Sequence, residues 1–212
     1  MHPDNEFLIY RKNTQKLKKV FIFLLILPLL SLAPRTSVLI KTDIYTVNYS
    51  ETYQQPLTVE YTVLCPNGTA SRKGMDFYTN DSIITSDNAD YENNIYDKGH
   101  MAPAADFTCS TEMLRKTFSY LNCALQDQYL NRGTWRLLEA EERRLARGKE
   151  KVNVLIKLEY KNPVKLTTGA TVPSGFYKRI IAGKDTTMYY FPNVKPKSSD
   201  FKIFKIKEWP KS

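Results

Sequence analysis

Apolar positions change their spacing several times along this chain, and each change predicts an element. Val20 to Ala33 reads VFIFLLILPLLSLA, an apolar run broken only by Pro28 and Ser31 and preceded by Lys16, Lys18 and Lys19. It has no polar face at helical spacing. A positive flank before a short apolar run has the form of a secretory signal, whereas a spanning helix needs ~20 apolar residues. Residues 20–33 are therefore read as a signal peptide or an uncleaved membrane anchor, and residues 1–19 as a polar N-terminal tail. From residue 41 to residue 212 the pattern is that of a globular domain. Leu57, Val59, Tyr61 and Val63 alternate, as do Val152, Val154, Ile156, Leu158 and Tyr160, which predicts two half-buried strands. Further strands are predicted over 175–182 and 187–192, with a last edge element over 201–209. Asn67-Gly68 marks a turn, and residues 81–95 form a polar loop. Ser110 or Thr111 caps a short helix through Lys116. A long helix is predicted from Asn131 to Arg147. Trp135, Leu138 and Leu145 supply its apolar stripe, Arg143, Arg144 and Arg147 suit its C-terminal end, and Gly148 stops it. Strands around one or two helices make the class α+β.

Composition narrows the function classes only a little. Hydrophobic residues are 42% of the 212 and aromatics 12%, enough to build a core and to argue against disorder. The formal charge of +9 favours polyanionic partners, either nucleic acid or anionic membrane. Charge alone leaves a soluble basic protein with no such partner equally open. Cys65, Cys109 and Cys123 fit no zinc spacing. They allow at most one intramolecular disulfide and do not fix the redox compartment.

Candidate chemistry centres on His100, since the other histidine, His2, lies in the tail. His100 sits in Asp97-Lys98-Gly99-His100-Met101-Ala102-Pro103, beside a glycine and near a carboxylate and an amine. A lone histidine is more often structural than catalytic. Asn131 and Glu139 are eight positions apart; at about 100° per residue they differ by roughly 80° and share a helix face. An amide oxygen and a carboxylate there could hold Mg²⁺, which takes oxygen ligands and keeps several waters. Taken alone, they read equally as a helix cap and a solvated acid.

The order of these residues changes that balance. DKGHMAPAADF resembles the DRGH-x-A-P-A-A-D signature of the DNA/RNA non-specific endonucleases, which are ββα-metal, or His-Me finger, nucleases. The likeness continues through Thr117 to Asn122, Trp135, Leu138-Glu139, Phe176-Tyr177-Lys178 and Phe191-Pro192-Asn193, and covers roughly Thr58 to Asn193. It implies a mainly antiparallel sheet with a long metal-site helix. It also implies hydrolysis of DNA and RNA with Mg²⁺, for which Mn²⁺ can substitute. In that scheme His100 is the general base and Asn131 the direct metal ligand. Glu139 orients the metal's waters, Asn122 holds the site and contacts phosphate, and Arg72 and Lys98 bind the substrate, Arg72 stabilising the transition-state phosphate. Asp97 shapes the loop. The family includes homodimers. The apolar run implies a secreted or membrane-anchored protein with the nuclease domain on the non-cytoplasmic side. Two positions depart from the pattern. Lys98 replaces the arginine of DRGH, losing two-pronged phosphate binding, and Cys123-Ala124-Leu125 replaces Ile-x-Pro. The alternative is a catalytically inactive nucleic-acid-binding relative; the retained His100, Asn122, Asn131 and Glu139 argue against it.

Overall fold

A computed structural model describes residues 37–148 and 151–210. In chain order the strands are β1 (Val38–Lys41), β2 (Tyr45–Ser50), β3 (Gln55–Thr62), β4 (Tyr96–His100), β5 (Cys123–Asp127), β6 (Val152–Glu159), β7 (Val164–Lys165), β8 (Thr171–Val172), β9 (Gly175–Ala182), β10 (Asp185–Pro192) and β11 (Lys205–Ile206). The helices are α1 (Thr111–Lys116), α2 (Gln128–Leu130) and α3 (Arg136–Arg147). Residues 1–19 and 20–33 lie outside the described residues. Among the described residues no helix is long and apolar enough to cross a membrane.

Alternation builds the main sheet. Seven strands run in the order β1-β2-β3-β6-β9-β10-β11, each neighbour antiparallel. One face is buried: Val59 and Tyr61 from β3, Val154 and Ile156 from β6, Phe176 and Ile180 from β9. α3 packs on it, bringing Leu138 down beside Trp135, both fully buried. β4 and β5 form a separate antiparallel pair, and the chain leaves β5 directly into helix. This is a ββα unit laid against a larger sheet.

Strands predicted at 57–63, 152–160, 175–182 and 187–192 appear as β3, β6, β9 and β10. The edge element becomes a 3-10 turn, Phe201–Phe204, followed by β11. Ser110 caps α1 by accepting from Met113 N–H at 3.1 Å. The long helix differs from expectation. It starts earlier, at Gln128, capped by Asp127, whose Oδ1 accepts from the N–H groups of Tyr129 and Leu130 at 2.9 and 3.0 Å. It is also interrupted: Asn131–Trp135 is a wide turn in which Gly133 takes φ −103° and ψ −109°, and α3 begins only at Arg136. Such local widening of a helix recurs at functional sites. Asn131 is therefore neither an N-terminal cap nor part of one straight rod with Glu139.

Cys65 and Cys109 form a disulfide across 44 positions, leaving Cys123 as a buried thiol. The bridge fastens the exit of β3 to the segment before α1. Backbone bonds from Leu64 and Cys65 N–H to Asp106 O, at 3.3 and 2.9 Å, reinforce it. On the chain-entropy account, closing such a loop contributes on the order of 4 kcal/mol.

Candidate active site

The β4–β5 pair aims the signature. His100 is the last residue of β4 and lies opposite Cys123 of β5. Gly99 is required by close packing: a Cβ there would stand 2.5 Å from Gln126 Oε1 and 2.7 Å from Gln126 Cβ. β4, the wide turn and α3 then wall a cleft of about 730 Å³, whose lining includes Arg72, Lys98, His100, Asn131 and Glu139. Five of the six residues singled out from the sequence thus meet in one place.

His100 packs against the mutually touching rings of Phe77 and Phe118, with centroids at 4.8 and 4.9 Å. Burial, and then the charge of Arg72, lower its pKa to about 3, so the imidazole is neutral. Its Nε2 is buried and has no hydrogen-bond partner. A neutral ring lining a cleft can accept a proton from a water placed against its accessible edge.

Asn131 is oriented by Asp97. Its Nδ2 donates to Asp97 Oδ2 at 2.9 Å, and Arg132 grips the same carboxylate through Nε and a terminal nitrogen at 2.8 and 2.6 Å. A carboxylate only accepts, so the amide nitrogen must face it and the amide oxygen is left for a cation. Asp97 thus does more than shape the loop.

Asn122, by contrast, does not line the cleft. It is fully buried and saturated by backbone: its Oδ1 accepts from Ala102 N–H at 2.7 Å, and its Nδ2 donates to the carbonyls of Ala102 and Thr117, both at 2.9 Å. No polar atom remains for a phosphate, so the expected contact is corrected to a structural hold on the loop after His100. Lys98 donates to Asn88 Oδ1 and lies 3.4 Å from Asp76, so part of its charge is already answered.

Beneath the cleft floor lies a charged network that the sequence reading missed. Lys178 and Glu142, both fully buried, form an ion pair at 2.7 Å, and Tyr61 OH donates to the other Glu142 oxygen at 2.7 Å. Lys178 Nζ also sits 4.2 Å from the Trp135 ring centroid. Arg143 pairs with the buried Asp106 at 2.8 Å and lines the cleft instead of merely ending the helix. Burial raises the Glu139 carboxyl to about 8, with Glu142 and Asp106 adding to the shift and Lys178 and Arg143 opposing it. Three carboxyl groups (Glu139, Glu142, Asp106) share this network with two cations (Lys178, Arg143), and the raised Glu139 carboxyl is held protonated near neutral pH. With the open Asn131 oxygen beside it, a hard cation at the cleft wall would favour its ionised form. Among the described residues no cluster of three His, Cys, Asp or Glu side chains could hold a metal. A cation there would rest on the amide oxygen and waters.

A hairpin carrying a histidine, followed by a helix presenting an asparagine and a glutamate, defines the ββα-metal class of nuclease. A model of the DNA/RNA non-specific endonuclease family matches residues 32–208, and the chain belongs to that family. It is 36% identical over 90 residues to the mitochondrial endonuclease G of Bos taurus, covering 41% of this chain and 30% of the relative. It is 30% identical over 158 residues to the mitochondrial nuclease EXOG of Danio rerio, covering 66% of this chain and 46% of the relative. The chain therefore spans less than half the length of these curated relatives. A chain in the crystal structure of an EndoG/EndoGI complex superposes with a TM-score of 0.70 at 27% identity, covering 80% of each chain.

Proposed function

We propose that the chain is a Mg²⁺-dependent, sugar-non-specific endonuclease that hydrolyses phosphodiester bonds of DNA and RNA. The observation carrying this reading is the shared cleft: the neutral His100 ring and Asn131, whose amide nitrogen is turned to Asp97, line one cavity with Arg72, Arg136 and Arg143. His100 takes a proton from water, whose oxygen attacks phosphorus in line with the departing 3′-oxygen. Arg72 meets the charge growing on the phosphate. Asn131 would hold the cation, and Glu139 would orient the waters around it. Bound Mg²⁺, or Mn²⁺ in its place, supplies positive charge where the phosphate becomes most negative. None of these groups reads a base edge or needs a 2′-hydroxyl, so both nucleic acids serve. We assign the domain to the non-cytoplasmic side, secreted or anchored through residues 20–33. The Cys65–Cys109 disulfide supports that assignment, because disulfides persist in oxidising compartments.

The test is nicking of plasmid DNA and cleavage of single-stranded RNA, with Mg²⁺ and with chelator. Cleavage of both, abolished by chelator, is expected; undiminished cleavage in chelator or resistance of RNA overturns the reading. Asp97→Ala frees the Asn131 amide to rotate and should raise the Mg²⁺ concentration for half-maximal rate ~10–100-fold, as loss of a ligand-orienting partner does. Asn131→Ala should raise it at least as much. An unchanged Mg²⁺ titration in either variant would remove Asn131 from the metal.

A further inference from the structure

The helical turn that Asp127 starts leads into the cleft at Asn131. Tyr129 lies two residues before Asn131 and is 54% exposed. An exposed ring alone signifies nothing, since much protein surface is apolar. Here the ammonium of Lys195 stands 4.6 Å from the ring centroid. Arg132, one turn on and an electrostatic neighbour of Tyr129, lines the cleft. Arg136 comes next: its Nε donates to Arg132 O at 3.0 Å and it too lines the cleft. Arg132 is committed to Asp97, whereas neither Arg136 nor Lys195 has an ion pair among the described residues. The row is cation, open aromatic ring, guanidinium, cleft.

We propose that Lys195, Tyr129 and Arg136 form a subsite for unpaired nucleotides beside the scissile phosphate. It rests on the nuclease reading above. Every base has a π-face that can stack on an exposed aromatic ring. In a duplex both faces of an internal base are covered by its neighbours, so only an unpaired base can take the ring. Lys195 and Arg136 then meet the phosphates flanking that base, and the chain prefers single strands or locally opened duplex.

The experiment measures binding to the full chain carrying His100→Ala, so that substrate survives, with a labelled dT 12-mer and a 12-base-pair duplex as probes. Tyr129→Ala should weaken dT binding about 10-fold and change duplex binding less than about 2-fold, while Tyr129→Phe keeps both. Arg136→Ala and Lys195→Ala should each flatten the log–log salt slope on dT by about 0.7. Equal effects of Tyr129→Ala on the two probes, no effect on either, or no measurable dT binding overturns the subsite. Wild-type cleavage, measured separately, tells the readings apart: intact cleavage without strand discrimination sinks the subsite alone, and absent cleavage sinks the nuclease reading.

Discussion

Replacing His100 by Ala is expected to slow single-turnover cleavage of DNA and RNA ~10²–10⁴-fold while leaving nucleic-acid affinity nearly unchanged. The ring is neutral and it lines the cleft. No other histidine follows residue 2. On the proposed reading phosphate affinity comes from cleft cations such as Arg72 and Arg136, which the change does not touch. The sign of the pH dependence follows from the shift. Only the neutral ring can take a proton, and burial with the Arg72 charge holds its pKa at about 3. The acid limb of kcat/KM due to this base should therefore fall below about 6.5, the ordinary histidine value. Arg72→Ala removes the repulsion and should move the limb upward. A His100→Ala rate within a few fold of wild type would end the general-base assignment.

Lys178→Met should cost ~3–5 kcal/mol of stability, the penalty for stranding a buried charge. The variant keeps the length of the stem but leaves the fully buried Glu142 with only the Tyr61 hydroxyl. In a domain of this size the loss corresponds to a Tm lower by roughly 10 °C. Lys178→Met combined with Glu142→Leu should recover much of the difference, because a buried pair replaced by apolar groups of similar volume is often neutral. Thermal melts of the two variants beside wild type decide the matter. A single-variant loss under about 1 kcal/mol would mean that water reaches the pair.

Periodicity carried the sheet, because inward positions of β6, and those of β9 apart from Lys178, are filled by apolar side chains at every second residue. It also carried α3 through Trp135 and Leu138. It failed where a charge occupies a core position. Lys178 stands between Phe176 and Ile180 on the inward face of β9, and Glu142 falls between Leu138 and Leu145 on the buried stripe of α3. Each reads as solvent-facing alone, yet the two spacings taken together point both inward, where only a partner of opposite sign makes burial tolerable. The cleft residues were legible from the signature. Arg132 and Arg136 were not, since an exposed arginine on a helix has the same sequence appearance whether it faces bulk water or a cavity. The wide turn was hidden because Gly133 looks like a mildly unfavourable helix residue. Asn122 has the residue type of a phosphate contact, and only its three backbone partners reveal that it has nothing left to offer.

The Cys65–Cys109 bridge divides the cleft unequally. Arg72, Lys98 and His100 lie within the covalent ring it closes, whereas Asn131 and Glu139 lie on the chain beyond it. The stretch around Arg72, Lys73 and Gly74 is exposed and offers basic sites to trypsin-like proteases. A cut after Lys73 would break the backbone without separating the pieces, since each end remains tied through the sulfurs. A chain nicked there would keep the proposed base and the proposed cation ligand covalently joined for as long as the bridge stays oxidised.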